Sequence, residues 1–182
     1  NRVLANNKSS FIFVDANNLN KTDVLLQPII NKIIKSDITV NKGRILGLYA
    51  AEGSLHKDTC VVFSFGTHEK DNLVQECCSL IEQEYPDSHC TINIAPSQPN
   101  KCSLSCYNKS LFNDCNKYVG KYSSKKQLSS ELVFANNEVK SNFILGWLEG
   151  DGHVDKDTGK VTGTTVSKNM ANQIRVMLNS LN

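Results

Sequence analysis

Residues 143–153 read FILGWLEGDGH, and residues 44–55 read RILGLYAAEGSL. The two stretches align at an offset of 99 residues, the difference between Asp151 and Glu52. At this offset each carboxylate is preceded by a glycine five positions earlier and is followed directly by another glycine. Apolar residues fill most of the remaining positions. One such stretch is a weak signal, but two with the same spacing predict a repeated structural unit.

Each stretch is predicted to form a short buried helix. The apolar surface is too broad for a helix on the surface, and the stretch is too short and too charged to cross a bilayer. Interior glycines such as Gly47 and Gly146 cost roughly 1 kcal/mol each relative to alanine. Because residues four apart stack, Gly47 with Ala51 and Gly146 with Gly150 form faces almost free of side chains. We therefore expect these residues to form a close helix–helix interface.

The residues at the ends of the two helices indicate the chemistry of the site. Gly53 and Gly152 suit the left-handed position just past a helix end, which places Glu52 and Asp151 at the C-termini. The helix dipole disfavours carboxylates there, and parallel packing brings the two like charges together. A divalent cation relieves both effects, and carboxylate oxygens suit magnesium. The pair therefore predicts metal-assisted phosphodiester chemistry.

Both stretches resemble the signature helix of the LAGLIDADG, or DOD-type, homing endonucleases, written here ILGLYAAEG and ILGWLEGDG. The resemblance implies an α+β fold of paired αββαββα units whose signature helices form the central interface. It implies a monomer with pseudo-two-fold symmetry that binds double-stranded DNA over a long target site. It also implies hydrolysis of phosphodiester bonds with Mg²⁺ or Mn²⁺. By position, Glu52 and Asp151 are the catalytic metal ligands, and Ala51 and Gly150 lie beside them at the metal.

The family usually carries a lysine near the site, late in each unit. Lys121 is the best positional candidate for a catalytic lysine, and Lys117 and Lys125 compete with it. An ordinary surface lysine is the alternative interpretation of all three. Glu149 does not align with either terminal acid, so we interpret it as a solvated helix acid.

Base recognition requires polar side chains at alternate positions of a strand, because alternate residues share one face of a sheet. His56 and His153 follow the two terminal acids, and each is either close to the site or an ordinary surface histidine. The candidate DNA-binding residues are Lys57, Ser64, Thr67, His68, Thr91, Asn93, Ser103, Ser105, Thr162, Thr164 and Lys168.

The chain is predicted to contain a leader over 1–40, a first unit over 41–120, a connector over 121–140 and a second unit over 141–182. Periodicity and turn residues predict the rest of the first unit. They indicate a hairpin after Gly53, a helix over 70–84, two strands within 89–107 and a helix over 111–119. The second unit repeats the hairpin and adds a helix over 170–181. The second unit has no counterpart of residues 89–120 of the first unit. We therefore expect a truncated second unit with two strands and half of a DNA-binding surface.

Residues 11–28, FIFVDANNLNKTDVLLQP, resemble the segment of inteins that leads from the splicing domain into the embedded endonuclease. The pattern consists of Ala16, Leu19, Asp23, Leu25 and Pro28, with Thr22 where glycine is usual. An ordinary β-hairpin before the domain is the alternative. Since the chain starts with Asn1 and ends with Asn182 preceded by leucine, it lacks the terminal residues that splicing requires. We expect that it cannot splice by itself, and an intein or a mobile intron remain open as its source.

Composition sets broad limits. The net charge of +2 supports nucleic-acid binding only weakly, because local basic stripes matter more than totals. Seven cysteines, an odd number without CxxC spacing, argue against a disulfide framework and a zinc site. We expect reduced thiols partly in the core, no membrane partner and an intracellular location that follows the host protein. Three functions remain open: a site-specific DNA endonuclease, a nuclease-inactive binding module like a maturase or a regulator, and a degenerate relic.

Overall fold

The computed structural model describes residues 2–7, 10–26 and 32–181. The chain divides into two compact units, residues 1–31 and residues 32–182. Asn1, Pro28 and Asn182, which enter the sequence analysis, lie outside the described residues.

The first compact unit contains a small antiparallel sheet. Its strands are β1 (Arg2–Asn7), β2 (Ser10–Asp15) and β3 (Val24–Leu25), in the order β2-β1-β3. The apolar clusters of 11–28 thus form two of these strands, as predicted. Strand β1 was not predicted, because its asparagine-rich sequence has low strand propensity. Pairing with both neighbouring strands outweighs that propensity.

The second compact unit begins with a complete αββαββα arrangement. Helix α1 (Val40–Glu52) is followed by β4 (Gly53–His56), β5 (Cys60–Gly66), α2 (Leu73–Glu84), β6 (His89–Asn93), β7 (Lys101–Tyr107) and α3 (Lys109–Tyr118). The order predicted from the residue pattern is confirmed. Polar N-caps define the starts of helices: the Thr39 hydroxyl accepts from Lys42 N–H at 3.0 Å, and the Asn108 side chain accepts from Leu111 N–H at 3.0 Å.

The strands form one antiparallel sheet in the order β4-β5-β7-β6. Side chains alternate across it, as strand geometry requires. Val61, Phe63 and Phe65 of β5 face the core, together with Cys102 and Leu104 of β7. Since opposite residues share a face, the register of Phe63 against Leu104 aligns the apolar sides of both strands. The other side of the sheet is left for polar residues.

The connector is more structured than the sequence indicates. It contains the one-turn helix α4 (Ser130–Val133), and the second signature helix, α5, spans Asn137–Asp151 and so begins within the predicted connector. The N-caps of these helices are Ser129 and Asn136, whose side chains accept hydrogen bonds from Leu132 and Val139 N–H.

The second unit then repeats the start of the first. Its strands are β8 (Gly152–Val154) and β9 (Val161–Gly163), and its last helix is α6 (Lys168–Asn179). In the described part of the chain, this second sheet contains these two short strands alone, as predicted. Within the same residues, no helix has the length and apolarity needed to cross a lipid bilayer.

Helices α1 and α5 pack against each other along their glycine faces. A Cβ on Gly43 would lie 2.8 Å from the Val139 carbonyl oxygen, and one on Gly150 would lie 2.6 Å from Ala51 Cβ. The residue numbers at these contacts increase in the same direction along both helices, so the helices are parallel. The predicted interface of Gly47, Ala51, Gly146 and Gly150 is therefore present.

Two predictions about these helices are wrong. Gly53 and Gly152 have φ values of −90° and −97°, which is extended backbone. They are the first residues of β4 and β8, and a side chain there would collide with the last helical turn: a Cβ on Gly53 would lie 2.6 Å from the Tyr49 carbonyl oxygen. Helix α5 is also not buried on all sides, because Leu145 is 53% exposed.

Substitution of Gly146 tests the close approach of α1 and α5, because helix propensity and packing predict opposite changes in stability. Helix propensity alone predicts that Gly146→Ala stabilises the protein by about 1 kcal/mol. A Cβ there would lie 2.6 Å from the Arg44 carbonyl oxygen, and overpacking of this kind typically costs about 1–3 kcal/mol. We therefore expect Gly146→Ala to have a lower free energy of unfolding than the wild type, as measured by urea titration. The control is Leu145→Ala, at an exposed position of the same helix, which should change the free energy of unfolding little. A Gly146→Ala variant more stable than the wild type would show that the helices are not in backbone contact.

Candidate active site at the ends of the paired helices

Glu52 and Asp151 are the last residues of α1 and α5. Parallel packing brings these two ends together. A Cβ placed on Gly150 would lie 3.0 Å from Glu52 Oε1, so the Glu52 carboxylate reaches across to the residue that precedes Asp151. Ala51 and Gly150, assigned to the metal by resemblance, face each other at the same level of the helix pair.

The electrostatics of the two acids agree with the sequence argument. Burial, followed by the neighbouring charge of Asp151 and that of Glu69, raises the pKa of Glu52 to about 7. Burial also raises the pKa of Asp151, with Lys126 acting in the opposite direction. Each carboxylate is therefore less readily ionised than a free one, and a nearby positive charge favours its ionised form. Two adjacent carboxylates of this kind form a donor set suited to a hard divalent cation.

Lys126 lies at the same helix end, and the sequence analysis did not identify it. It is only 3% exposed, and its ammonium donates to the carbonyl oxygens of Tyr49, Ala50 and Gly53 at 2.8–2.9 Å. Two of these carbonyls belong to the last turn of α1, where helix geometry leaves acceptors available, and Gly53 follows the helix directly. The Tyr49 carbonyl also accepts from Gly53 N–H. Burial lowers the pKa of Lys126 to about 8, although Asp151 and Glu52 oppose the decrease.

The three lysines named from the sequence lie elsewhere. Lys117 forms an ion pair with Glu131 at 3.0 Å. Lys121 and Lys125 lie over the ring of Tyr122, at 5.2 and 6.0 Å from its centroid. Lys121 also lines a cavity at the start of β4, together with Gly53, whose carbonyl oxygen accepts from Lys126 rather than from Lys121.

The path of the connector explains why Lys126 was missed. The Ser167 hydroxyl donates to the Lys126 carbonyl oxygen at 2.6 Å, and Gln127 N–H donates to the Val119 carbonyl oxygen at 2.8 Å. These bonds turn the Lys126 side chain inward. Because Lys125 and Lys126 are adjacent and chemically identical, no local pattern distinguishes the inward one.

A cavity of about 240 Å³ adjoins this centre. Asp151, Lys126 and Ala51 line it, together with Thr164 and Thr165 from the segment after β9. Thr164 N–H donates to the Asp151 carbonyl oxygen at 3.1 Å, which fixes this segment to the end of α5. Of the second-unit DNA-binding candidates, Thr164 therefore lies directly at the acidic centre.

Five DNA-binding candidates share the solvent-facing side of the four-stranded sheet, which we call the polar face. Ser64 lies opposite Ser103, Ser105 lies opposite Thr91, and Asn93 also pairs with Ser103. Sequence reasoning missed further members, although the alternation of β4, β6 and β7 could have identified them. The additional members are Ser54, His56, His89, Lys101 and Tyr107.

The other candidates lie off this sheet. Lys57 is in the turn between β4 and β5 with φ of 49°, and Thr67 and His68 begin a short 3-10 helix after β5. Thr162 lies in β9 opposite His153. Lys168 is an exposed residue at the start of α6 rather than in a strand.

Glu149 is exposed, as expected for a solvated helix acid, and it also makes an ion pair that the sequence did not predict. Its carboxylate forms an ion pair with the Arg44 guanidinium, which also contacts Glu76 at 2.9 Å. Arg44 is 9% exposed, so this network joins α1 to both α5 and α2.

Known proteins share both the sequence pattern and the fold. Residues 138–182 match the family described as LAGLIDADG-like domain. The chain is 27% identical over 143 residues to an ATP-dependent DNA helicase, Hel308, of Thermococcus kodakarensis. That match covers 76% of this chain and 12% of the helicase, so the chain spans only a small part of this curated relative.

Solved structures of I-DmoI have a similar fold. A structure of mesophilic variants from the homing endonuclease I-DmoI has a TM-score of 0.59 at 17% identity, covering 79% of this chain and 78% of that one. The complex of I-DmoI with DNA and Mn has a TM-score of 0.59 at 18% identity with the same coverage. Residues 138–182 thus match a LAGLIDADG-like domain, and the chain has the fold of the homing endonuclease I-DmoI.

Proposed function

We propose that the chain is a site-specific, divalent-metal-dependent endonuclease that acts on double-stranded DNA. The observation that carries the proposal is the meeting of Glu52 and Asp151 at the ends of two parallel helices, beside the start of a sheet with a polar face. The crystallised complex of I-DmoI with DNA and Mn, which has the same fold, supports it.

The geometry supports the proposed roles. Glu52 and Asp151 hold one or more Mg²⁺ or Mn²⁺ ions, with the backbone at Ala51 and Gly150 alongside. A bound divalent cation lowers the pKa of water and stabilises the leaving oxyanion. Lys126 holds the end of α1 in place and limits the pKa increase of both acids. It acts as a positioning residue, and Lys121 has the more peripheral role.

The polar face is proposed to contact the DNA. Its serines, threonines and Asn93 are hydrogen-bonding groups that can read base edges, while Lys101 can contact phosphates. In the second unit, Thr162, Thr164 and Lys168 are the proposed contacts. The two terminal acids lie at a pseudo-two-fold axis, which suits the pseudo-symmetric backbone of a duplex.

An embedded position within a larger host protein is part of the proposal. The match to 12% of a long DNA helicase supports it, as does the resemblance of 11–28 to the intein segment before the endonuclease. An intron-encoded origin is the alternative.

One observation favours a second function, nucleic-acid binding without cleavage. The second sheet has two three-residue strands in the described part of the chain, against four strands in the first sheet. A smaller surface supports fewer contacts to the second half of a target. Cleavage assays distinguish the two functions.

The test of the acids uses duplexes selected from a random library by binding in EDTA. Addition of Mg²⁺ or Mn²⁺ is expected to produce cleavage by the wild type. Glu52→Gln and Asp151→Asn should each reduce cleavage by at least about 100-fold while DNA binding persists. Glu138→Gln, at the opposite end of α5, is the control. Binding without metal-dependent cleavage by the wild type would support the second function, and normal cleavage by either acid variant would refute the site.

The test of the lysine compares Lys126→Met with Lys121→Met. Loss of Lys126 removes the charge that counteracts the raised pKa of Glu52 and Asp151. The pH of half-maximal cleavage should therefore shift upward, and the free energy of unfolding should fall by about 1.5–3 kcal/mol or more because charge-assisted bonds to three carbonyls are lost. Lys121→Met should leave the pH profile unchanged. The opposite result would make Lys121 the residue that tunes the site.

The titration of Glu52 predicts a pH-dependent stability in metal-free protein. Its pKa rises from 4.5 to about 7 on folding, so the folded state binds the proton more tightly. The resulting stabilisation is complete below about pH 4.5 and is lost as the pH rises through about 7. Urea unfolding in EDTA should therefore show a decline between pH 5 and 8 that is reduced in Glu52→Gln. An identical decline in both proteins would show that Glu52 is not buried beside Asp151.

A further inference from the structure

A second cluster of metal-binding side chains lies between α2 and the edge of the four-stranded sheet. Cys78 and Glu82 are one turn apart on α2, and Cys90 lies on the edge strand β6. The ligand atoms of these three residues lie within 4.8 Å of one another. Cys106 on β7 is directly opposite Cys90, and their sulfur atoms are 2.7 Å apart.

The cluster is separate from the acidic centre and from the polar face. Its residues come from α2, β6 and β7, whereas Glu52 and Asp151 end α1 and α5. Cys90 and Cys106 point to the core side of the sheet, because the polar face carries the alternating neighbours of Cys90, His89 and Thr91. Cys78 and Cys90 are half-buried and Glu82 is exposed, so a cation can enter from solvent.

The ligand chemistry differs from that of a magnesium site. Three thiols offer soft donors, which select Zn²⁺ and Cu(I) over Mg²⁺ and Ca²⁺. The one carboxylate is a harder donor that Zn²⁺ also accepts. Four ligands are the number that structural zinc sites use. We propose that Cys78, Cys90, Cys106 and Glu82 bind a single zinc-type cation.

The spacing rules used on the sequence argued against such a site. Those rules describe ligand pairs within one short loop, as in CxxC motifs. Here a helix supplies two ligands at i and i+4, and two paired strands supply one each. The four residues become neighbours only through tertiary structure.

Occupation of the site would join α2 to the edge of the sheet. Among the strands that the structure describes, β6 pairs with β7 alone, and edge strands present unpaired backbone groups. The cation would therefore reinforce the proposed DNA-binding sheet from its core side. It would have no part in hydrolysis, so the inference does not rest on the proposed function.

The experiment uses the full chain with Glu52→Gln and Asp151→Asn, which removes the acidic centre as a competing zinc site. Reduced, metal-free protein is incubated with Zn²⁺, desalted and analysed for bound zinc, and Tm is measured with and without the ion. We expect about one zinc per chain, as the four-ligand site implies, and a zinc-dependent rise in Tm. Co²⁺ should give a thiolate-to-metal absorption band.

Cys102 provides a matched control, because it lies on β7 four residues before Cys106 and both cysteines are fully buried. Cys102→Ala and Cys106→Ala should lose similar stability without metal, yet only Cys106→Ala should lose the zinc-dependent rise in Tm. Cys78→Ser and Cys90→Ser should weaken zinc binding at least about tenfold, and Glu82→Gln less.

Three results would overturn the proposal. The first is that the parent protein retains no zinc. The second is that Cys78→Ser and Cys90→Ser retain as much zinc as the parent protein. The third is a Cys90–Cys106 disulfide in protein purified without reductant, detected by thiol titration and a mass lower by two hydrogen atoms, that reforms in the presence of zinc.

Discussion

The close backbone contact between α1 and α5 is the constraint on which the rest of the structure depends. It exists because Gly47 and Gly146 have no side chains where the helices meet. The contact fixes the parallel orientation, which brings the acidic ends of both helices together. It also fixes where each hairpin leaves its helix, because Gly53 and Gly152 begin strands directly after the acids. The loss of helix propensity at the glycines is offset by packing that no larger residue permits.

The acidic centre is stabilised by groups from both halves of the chain. Lys126 satisfies the last carbonyls of α1, while Ser167 at the start of α6 binds the Lys126 backbone. Leu128 and Gln173 exchange two further hydrogen bonds between the connector and α6. A segment that reads as a polar linker is therefore a structural part of the site. Within this framework, the charge of Lys126 partly offsets the raised pKa of both acids.

The elements set by local pattern were predictable from the sequence. The repeat of glycine and carboxylate indicated the paired helices, and period-two alternation indicated the hairpins and the polar face. Features set by the path of the chain were not predictable. Nothing local separates Lys126 from Lys125, and the extended backbone of Gly53 goes with its place as the first residue of β4. The Cys78, Cys90 and Cys106 cluster draws on three elements. The ion pair of Glu149 likewise depends on Arg44 across the helix interface.

The direct covalent junction between Glu52 and β4 has a geometric consequence. The residue proposed to hold the metal and the first residue of the sheet proposed to contact DNA are consecutive, with no hinge between them. For a nuclease built in this way, the number of base pairs between the recognised bases and the cleaved bond is a rigid property of the protein. Changes of specificity on the polar face would alter which sequence is bound without moving the position of the cut.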